Sequence, residues 1–524
     1  MRALPLPALR GERVGVRGSI REIGSKRRPS PQPSPPKDGC RVHTSRLPAG
    51  SRADSVMEAD SREAFDDIGL RGGGARAVRG PAAAKRGVLF QAALLARPGS
   101  CIRRLARGNR ARQIRFSRFL HNEAVTVAEM AATAAVRTAS AAAGRDVLAI
   151  QDSSELVFGG KQARARGFGP IGRGGGIGGL LLHAVLAVDA TTGALLGPID
   201  VTVRNRTGGK GTPRRERPTA DKESQRWLDG MFSAERVLRE AARITVVADR
   251  ESDIYEEFAR RPPHVHLLTR VAQDRRIKGA ADEDALLFAF SDGLLEQDSI
   301  AVNIPAAPGR KARTAKLALR YASVEVRKPK NGAAPDLPAT VSLTLLDVRE
   351  TTTPEQGEPI HWRLITTHTI DNPGAARMVL DFYRRRWIIE DYFRTLKTAG
   401  FDIEAAEIEE PDAMARLVGA VAVTGVTVLQ LVRARDGATN QMLREAFDPD
   451  DQPLLEALSA KFEGNTQRQK NPHPNGTLAY AAWVIARLGA WDGYYGKPGP
   501  KVMRIGLQDF QLIKYGHHLR PPNV

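Results

Sequence analysis

"YRRRWIIEDYFRTLKTAGF", residues 383–401, decides how this chain is read. Tyr383, Arg386, Glu390 and Lys397 recur there at steps of three, four and seven residues. On an α-helix those steps return to one side, so the spacing predicts four polar groups in a line. Phe382, Trp387, Ile388, Ile389, Phe393 and Leu396 supply apolar residues for packing. A solvated, salt-bridged helix face would produce the same line, so its meaning rests on what accompanies it.

Two further carboxylates accompany it. "DVLAIQD" is a short apolar run that ends in Asp152, and "RITVVAD" ends in Asp249 and leads at once into a helical pattern. Both are strand signals, and strand ends are where α/β folds present functional groups. Taken singly, an Asp after a strand is more often a turn or cap residue. Brought together with Glu390, the three would repel one another unless divalent cations neutralised them. Mg²⁺ suits such a site because it takes a few oxygen ligands and leaves room for substrate phosphates. Two ions about 3.5–4 Å apart would activate an attacking hydroxyl or water and stabilise the leaving oxygen in phosphoryl transfer.

That chemistry requires a polyanion. The 524 residues carry a formal charge of +20, and 42% hydrophobic with 26% charged residues marks a globular chain. Residues 1–50 hold eleven Lys/Arg and three Asp/Glu, which is +8, leaving +12 for the rest. Cys40 and Cys101 form neither a disulfide framework nor a zinc cluster, so a reducing cytoplasm is expected. No signal peptide is evident. Leu417–Val432, the longest apolar run, is expected to be a buried helix rather than a membrane span.

Along the chain, residues 1–56 form a basic tail rich in Pro and Ser, expected to be disordered, with Met57 as an alternative start. Residues 57–145 are helical in pattern. They concentrate Arg103, Arg104, Arg107, Arg110, Arg112, Arg115 and Arg118, which suits phosphate contacts. Residues 146–262 carry strands, a hairpin at "DATTG" and a helix, an α/β pattern with a mixed sheet. Residues 263–370 alternate or are β-branched and predict an all-β insertion. Helices return over 371–410 and 411–524. Gly167, Gly169 and Gly172 spell G-x-G-x-x-G. Pro170 and the glycines and strand that follow exclude a dinucleotide site there, so a flexible loop is expected.

The joint pattern resembles cut-and-paste bacterial transposases of the insertion sequence 4 family. Tyr383, Arg386, Glu390 and Lys397 match the family's Tyr-(2)-Arg-(3)-Glu-(6)-Lys signature. "QDSSEL", "LLHAVLAVDATTGALLG", "DKESQRW" and "ADRESDIYE" are similar to its blocks around the two aspartates. "FSRFLHNEAVT" and "GTLAYAAWVIARLGAWDGYYGKPGPKVM" are similar to its terminal regions, so the likeness runs from about residue 80 to the end. The glycine-heavy stretch from Gly69 to Gly87 departs from the family's helical start.

The resemblance implies an α/β fold with a ribonuclease H-like catalytic core, an all-β insertion and helical terminal domains. It implies Asp152, Asp249 and Glu390 as catalytic residues holding two Mg²⁺, with Mn²⁺ able to substitute. It implies DNA contacts from Tyr383, Arg386, Lys397, Trp362 and Arg270, with Trp362 stacking on a flipped base. Terminal inverted repeats and target DNA are the expected partners, and a homodimer is expected to synapse the ends. A DNA-binding remnant that cannot cut, and a nuclease without strand transfer, are the alternatives.

Overall fold

The computed structural model describes residues 102–518 except 107, 173–174, 207–218, 220–221, 280–281, 307–310, 332, 356 and 495, together with Phe90, Ala93 and Leu94. The basic tail, the Met57 start, the glycine-heavy stretch and about half of the expected N-terminal domain lie outside the described residues.

One mixed sheet organises these residues. Its strands are β1 (Asp146–Val157), β2 (Gly169–Ile171), β3 (Ile177–Asp189), β4 (Leu195–Arg204), β5 (Arg243–Ala248) and β6 (Val265–Arg270). They continue as β7 (Arg276–Lys278), β8 (Asp284–Leu286), β9 (Asp298–Ile304), β10 (Arg313–Arg327), β11 (Thr340–Glu350) and β12 (His361–Thr366). β4, β3 and β1 form an antiparallel meander, and β5 and β6 then run parallel to β1. The order β4-β3-β1-β5-β6 is compatible with a ribonuclease H-like core.

The segment 263–370 does not hang off this sheet. β6 pairs with β5 in parallel, and β12 pairs with β6 through Leu364–Arg270, Ile365–Thr269 and Thr366–Leu268. β11, β10, β7 and β8 carry the ladder outward, with β9 beside β10. The segment also contains a short helix, Leu287–Asp292, which the β-branched pattern around it concealed. Gly169–Ile171, expected as a flexible loop, is instead β2, paired with Ile177–Gly179.

Helices cover both faces. Those used below are α1 (Arg110–Leu120), α2 (Val127–Ala142), α3 (Gln225–Val237), α4 (Tyr255–Arg260), α5 (Pro373–Arg385), α6 (Trp387–Arg394), α7 (Pro411–Ala434) and α8 (Leu478–Leu488). Alternation along β1 sends Leu148 and Ile150 into the core beneath α5–α8, and Val147 and Ala149 into a second core beneath α3 and α4. α7 contains the Leu417–Val432 run and is long and apolar enough to cross a membrane. Here it is a core helix, 72% buried over its most apolar window. Its one internal amide, Gln430, is satisfied by the carbonyls of Leu195 and Leu196 at 3.2 Å each.

Candidate active site

The helix expected over 383–397 forms in three pieces. α5 starts cleanly, because Asn372 caps it by accepting from the Ala375 amide at 3.0 Å and Pro373 occupies its first turn. At Arg386 the backbone tightens to a three-residue turn onto the Tyr383 carbonyl, and α6 follows. Thr395–Ala399 then widens into a π-helical turn, a feature often found at functional sites.

Tyr383, Arg386 and Glu390 meet the two aspartates. The Arg386 guanidinium lies 3.0 Å from Asp152 Oδ2, 3.5 Å from Glu390 Oε1 and 4.0 Å from Asp249 Oδ2. The Tyr383 hydroxyl donates to Asp249 Oδ1 at 3.0 Å. Three carboxylates separated by 97 and 141 residues (249 − 152 and 390 − 249) therefore converge on one cation. Arg386 is 4% exposed in its side chain and Glu390 44%, so the cluster opens to solvent on the Glu390 side.

Burial and crowding set its electrostatics. Burial, with Glu390 and Asp249 nearby, pushes the Asp152 carboxyl up to about 7, against the pull of Arg386. Burial alone would lower Arg386, but Tyr383, Asp249, Asp152 and Glu390 overcome it and hold the guanidinium charged. Burial, then Asp249, raises the Tyr383 hydroxyl, so it stays a protonated donor. Among the described residues no group of three or more His, Cys, Asp or Glu side chains is placed to hold a metal ion. Arg386 supplies the positive charge among the three carboxylates.

The remaining expected residues lie further out. Lys397, on the π turn, donates to the Glu155 carbonyl on β1 and pairs with Glu404 at 3.6 Å. Trp362 is buried on β12 with its ring edge-on to Tyr383, centroids 5.6 Å apart, so it packs beneath the site rather than presenting a face to solvent. Arg270 ends β6 near Tyr383 and reaches the His361 carbonyl. Arg110, Arg115 and Arg118 are exposed on α1.

A second set of residues had no counterpart in the sequence reading. Gln151 and Ser153 flank Asp152 on the opposite face of β1. Gln151 donates to Glu257 on α4 at 3.2 Å, and Ser252, three residues past Asp249, donates to the same carboxyl at 2.6 Å. Ser153 accepts from Arg226 on α3 at 2.8 Å, and Arg226 also pairs with Glu251 at 2.5 Å. Two polar bridges thus tie the neighbours of Asp152 to those of Asp249 from behind the sheet. Gly230 permits the α3 approach, since a Cβ there would lie 2.3 Å from the Gln151 side chain. Ser153 also meets His183 at 3.0 Å, and burial, then Arg226 and Arg204, holds that imidazole neutral at about 3. A cavity of about 530 Å³ opens beside this clamp, lined by Arg206, Lys222, Arg226 and Glu251 among others. Its two arginines are already paired with Glu155, Glu223 and Glu251.

Burial pushes Glu257 up from 4.5 to about 8, so it is protonated at neutral pH. A carboxyl raised in the folded state favours folding most below its unfolded value, and that contribution falls as pH rises toward 8. Glu257→Gln, which keeps the shape without the ionisation, is expected to be about 2–4 kcal/mol more stable than the parent at pH 8.5. The advantage should shrink to below about 1 kcal/mol by pH 5, as read from urea midpoints. Equal offsets at both pH values would contradict this protonation state.

A family model described as "Transposase DDE domain" matches residues 144–424, more than half of the chain. The match contains β1, β5 and α6, and with them Asp152, Asp249 and Glu390.

Proposed function

Because the chain belongs to the family of transposase DDE domains, we propose that it is a cut-and-paste DNA transposase of the insertion sequence 4 type, with Asp152, Asp249 and Glu390 as its catalytic carboxylates. The observation that carries this reading is the convergence of those three side chains on Arg386 within the matched region.

DDE transposases generally use divalent metals. The donor set fits such an ion: three carboxylates supply hard oxygen ligands, and all lie within 4.0 Å of one positive centre. Asp152, Asp249 and Glu390 would hold Mg²⁺, two ions in the full site, once Arg386 turns toward another anion. When bound, the metal supplies charge neutralisation and Lewis-acid activation at the reacting phosphate.

The chain's own groups have distinct tasks. Arg386, freed from the carboxylates, offers a planar pair of donors to a phosphodiester. Tyr383 holds Asp249 through its hydroxyl and keeps that carboxylate oriented. Lys397 and Arg270 add positive charge along the path of the strand. Trp362 stabilises the floor beneath Tyr383, and stacking on an extruded base requires its ring to be uncovered. The exposed arginines of α1 suit phosphate contacts to the terminal inverted repeats. A homodimer on DNA, with an interface among the C-terminal helices, brings two ends together in the cytoplasm at the nucleoid. The β-rich segment 263–370 is the family's insertion in this reading, between core segments 146–262 and 371–410. The helical units 57–145 and 411–524 flank it.

The test is incubation of the purified chain with DNA bearing the inverted repeats that flank its gene, with Mg²⁺. Hairpin-ended products are expected. Open breaks alone would indicate a nuclease, and a mobility shift without cleavage would indicate a DNA-binding remnant.

A further inference from the structure

Outside the matched region, the chain builds a second concave site. α7 ends at Arg435, and the chain turns at Asp436 and Gly437, whose φ of +72° places it against His473. α8 brings Trp483 and Arg487 to the same place. The loop after α8 folds back because Trp491 Nε1 donates to the Gly496 carbonyl at 3.2 Å and Arg487 donates to the carbonyls of Trp491 and Asp492. The result is a cavity of about 480 Å³.

Its lining is unusual in charge. Arg435, Arg468, Lys470, Arg487 and Lys497 face it, and Asp436 is the one acidic lining residue. Asp436 is already shared between Lys497 at 2.7 Å and Arg435 at 3.8 Å. Arg487 spends its donors on backbone carbonyls and lies over the Trp483 ring at 5.6 Å. Arg468 covers the exposed Tyr494 ring at 4.7 Å. Folding alone does not need this excess of like charge, which costs self-repulsion. Cations interleaved with aromatic faces are instead the chemistry that holds a phosphodiester and stacks an unpaired base.

We propose that this cavity, bounded by Arg435, Lys470, Trp483, Arg487, Trp491 and Lys497, is a second DNA-contact site that takes a phosphate and the unpaired base beside it. The inference rests on the DNA-processing reading above and adds a place for a single-stranded segment outside the matched region. Bases inside a duplex are excluded, because both their faces are already stacked on neighbouring pairs.

The test is fluorescence anisotropy of labelled oligothymidylate, and of a labelled duplex, with the full chain in EDTA over a range of salt. Lys470 and Lys497 are exposed, and Asp436 keeps Arg435 at 3.8 Å when Lys497 is removed, so Lys470→Ala/Lys497→Ala is expected to fold as the parent does, checked by its urea midpoint. This double variant is expected to bind the single strand roughly tenfold more weakly. It should also flatten the log K against log salt slope by roughly 1.4, two contacts at about 0.7 each. Trp491→Ala is expected to weaken the single strand by about 5- to 100-fold and leave the duplex unchanged. If the variants bind both probes as the parent does while the parent binds DNA, the cavity is not a DNA site and the transposase reading stands. If the parent binds neither probe, the DNA reading fails and this site with it. Loss of dimerisation with unchanged single-strand affinity would reassign the cavity to a protein interface and overturn the proposal.

Discussion

Replacing Asp152 with Asn is expected to lower DNA cleavage by about three orders of magnitude or more while leaving DNA binding near the parent level. Several kcal/mol of transition-state stabilisation come from a metal centre, and about 1.4 kcal/mol corresponds to each factor of ten. Asp249→Ala and Glu390→Ala should lose as much, because each removes one of the three carboxylates that converge at Arg386. Stability should move the other way for Asp152→Asn. The Asp152 carboxyl is raised from 3.8 to about 7, so the folded state loses stability as pH rises across that interval. The uncharged amide escapes this loss, and the variant should unfold at higher denaturant than the parent at pH 8. Single-turnover cleavage of end-bearing DNA, paired with urea melts, reads both effects. Cleavage that survives all three changes would refute the assignment of the carboxylates.

Arg386→Ala carries the second large effect. Its guanidinium is buried among three carboxylates and a tyrosine hydroxyl, so its removal leaves negative charge in a confined space without a counterion. Breaking a buried ion pair from one side costs about 3–5 kcal/mol. The deficit should grow as pH rises through about 7, because the Asp152 carboxyl then loses its proton with no cation beside it. Ca²⁺ or Mg²⁺ added without DNA should restore much of the lost stability to the variant and little to the parent, where the arginine competes for the same oxygens. Equal melting of the two proteins at pH 8, with no response to divalent ions, would show that Arg386 is not the cluster's resident cation.

The parts of this site visible in the sequence were those with simple periodicity. Apolar runs ending in Asp152 and Asp249 announced two strands, and steps of three and four placed Tyr383, Arg386 and Glu390 on one side of a helix. Lys397 lies on a π turn that widens the helix after Arg394, and no local signal in "RTLKTAGF" marks that turn. The clamp behind the sheet was hidden for a different reason. Arg226 and Glu257 look like ordinary helix surface residues until α3 and α4 are packed on the sheet. The available clue was Gln151 and Ser153, two polar residues two apart on a strand whose preceding residues are apolar. A central strand does not bury polar side chains without partners for them. The helix at Leu287–Asp292 and the strand at Gly169–Ile171 were missed because runs that short are decided by their tertiary neighbours.

The ladder between β6 and β12 also bears on how the molecule can move. Backbone hydrogen bonds run from the strand carrying Asp152, across those beneath Tyr383, through β12 and β11 to β10 and β9. A plate of this kind bends as one piece, so the outer strands cannot swing as a separate flap without tearing a row of pairings. Any gating that admits a DNA strand must therefore come from the helical side, where side chains pivot and helix ends slide. Arg386 and the π turn lie on that side, and amide exchange should find the outer ladder protected while they respond to the substrate.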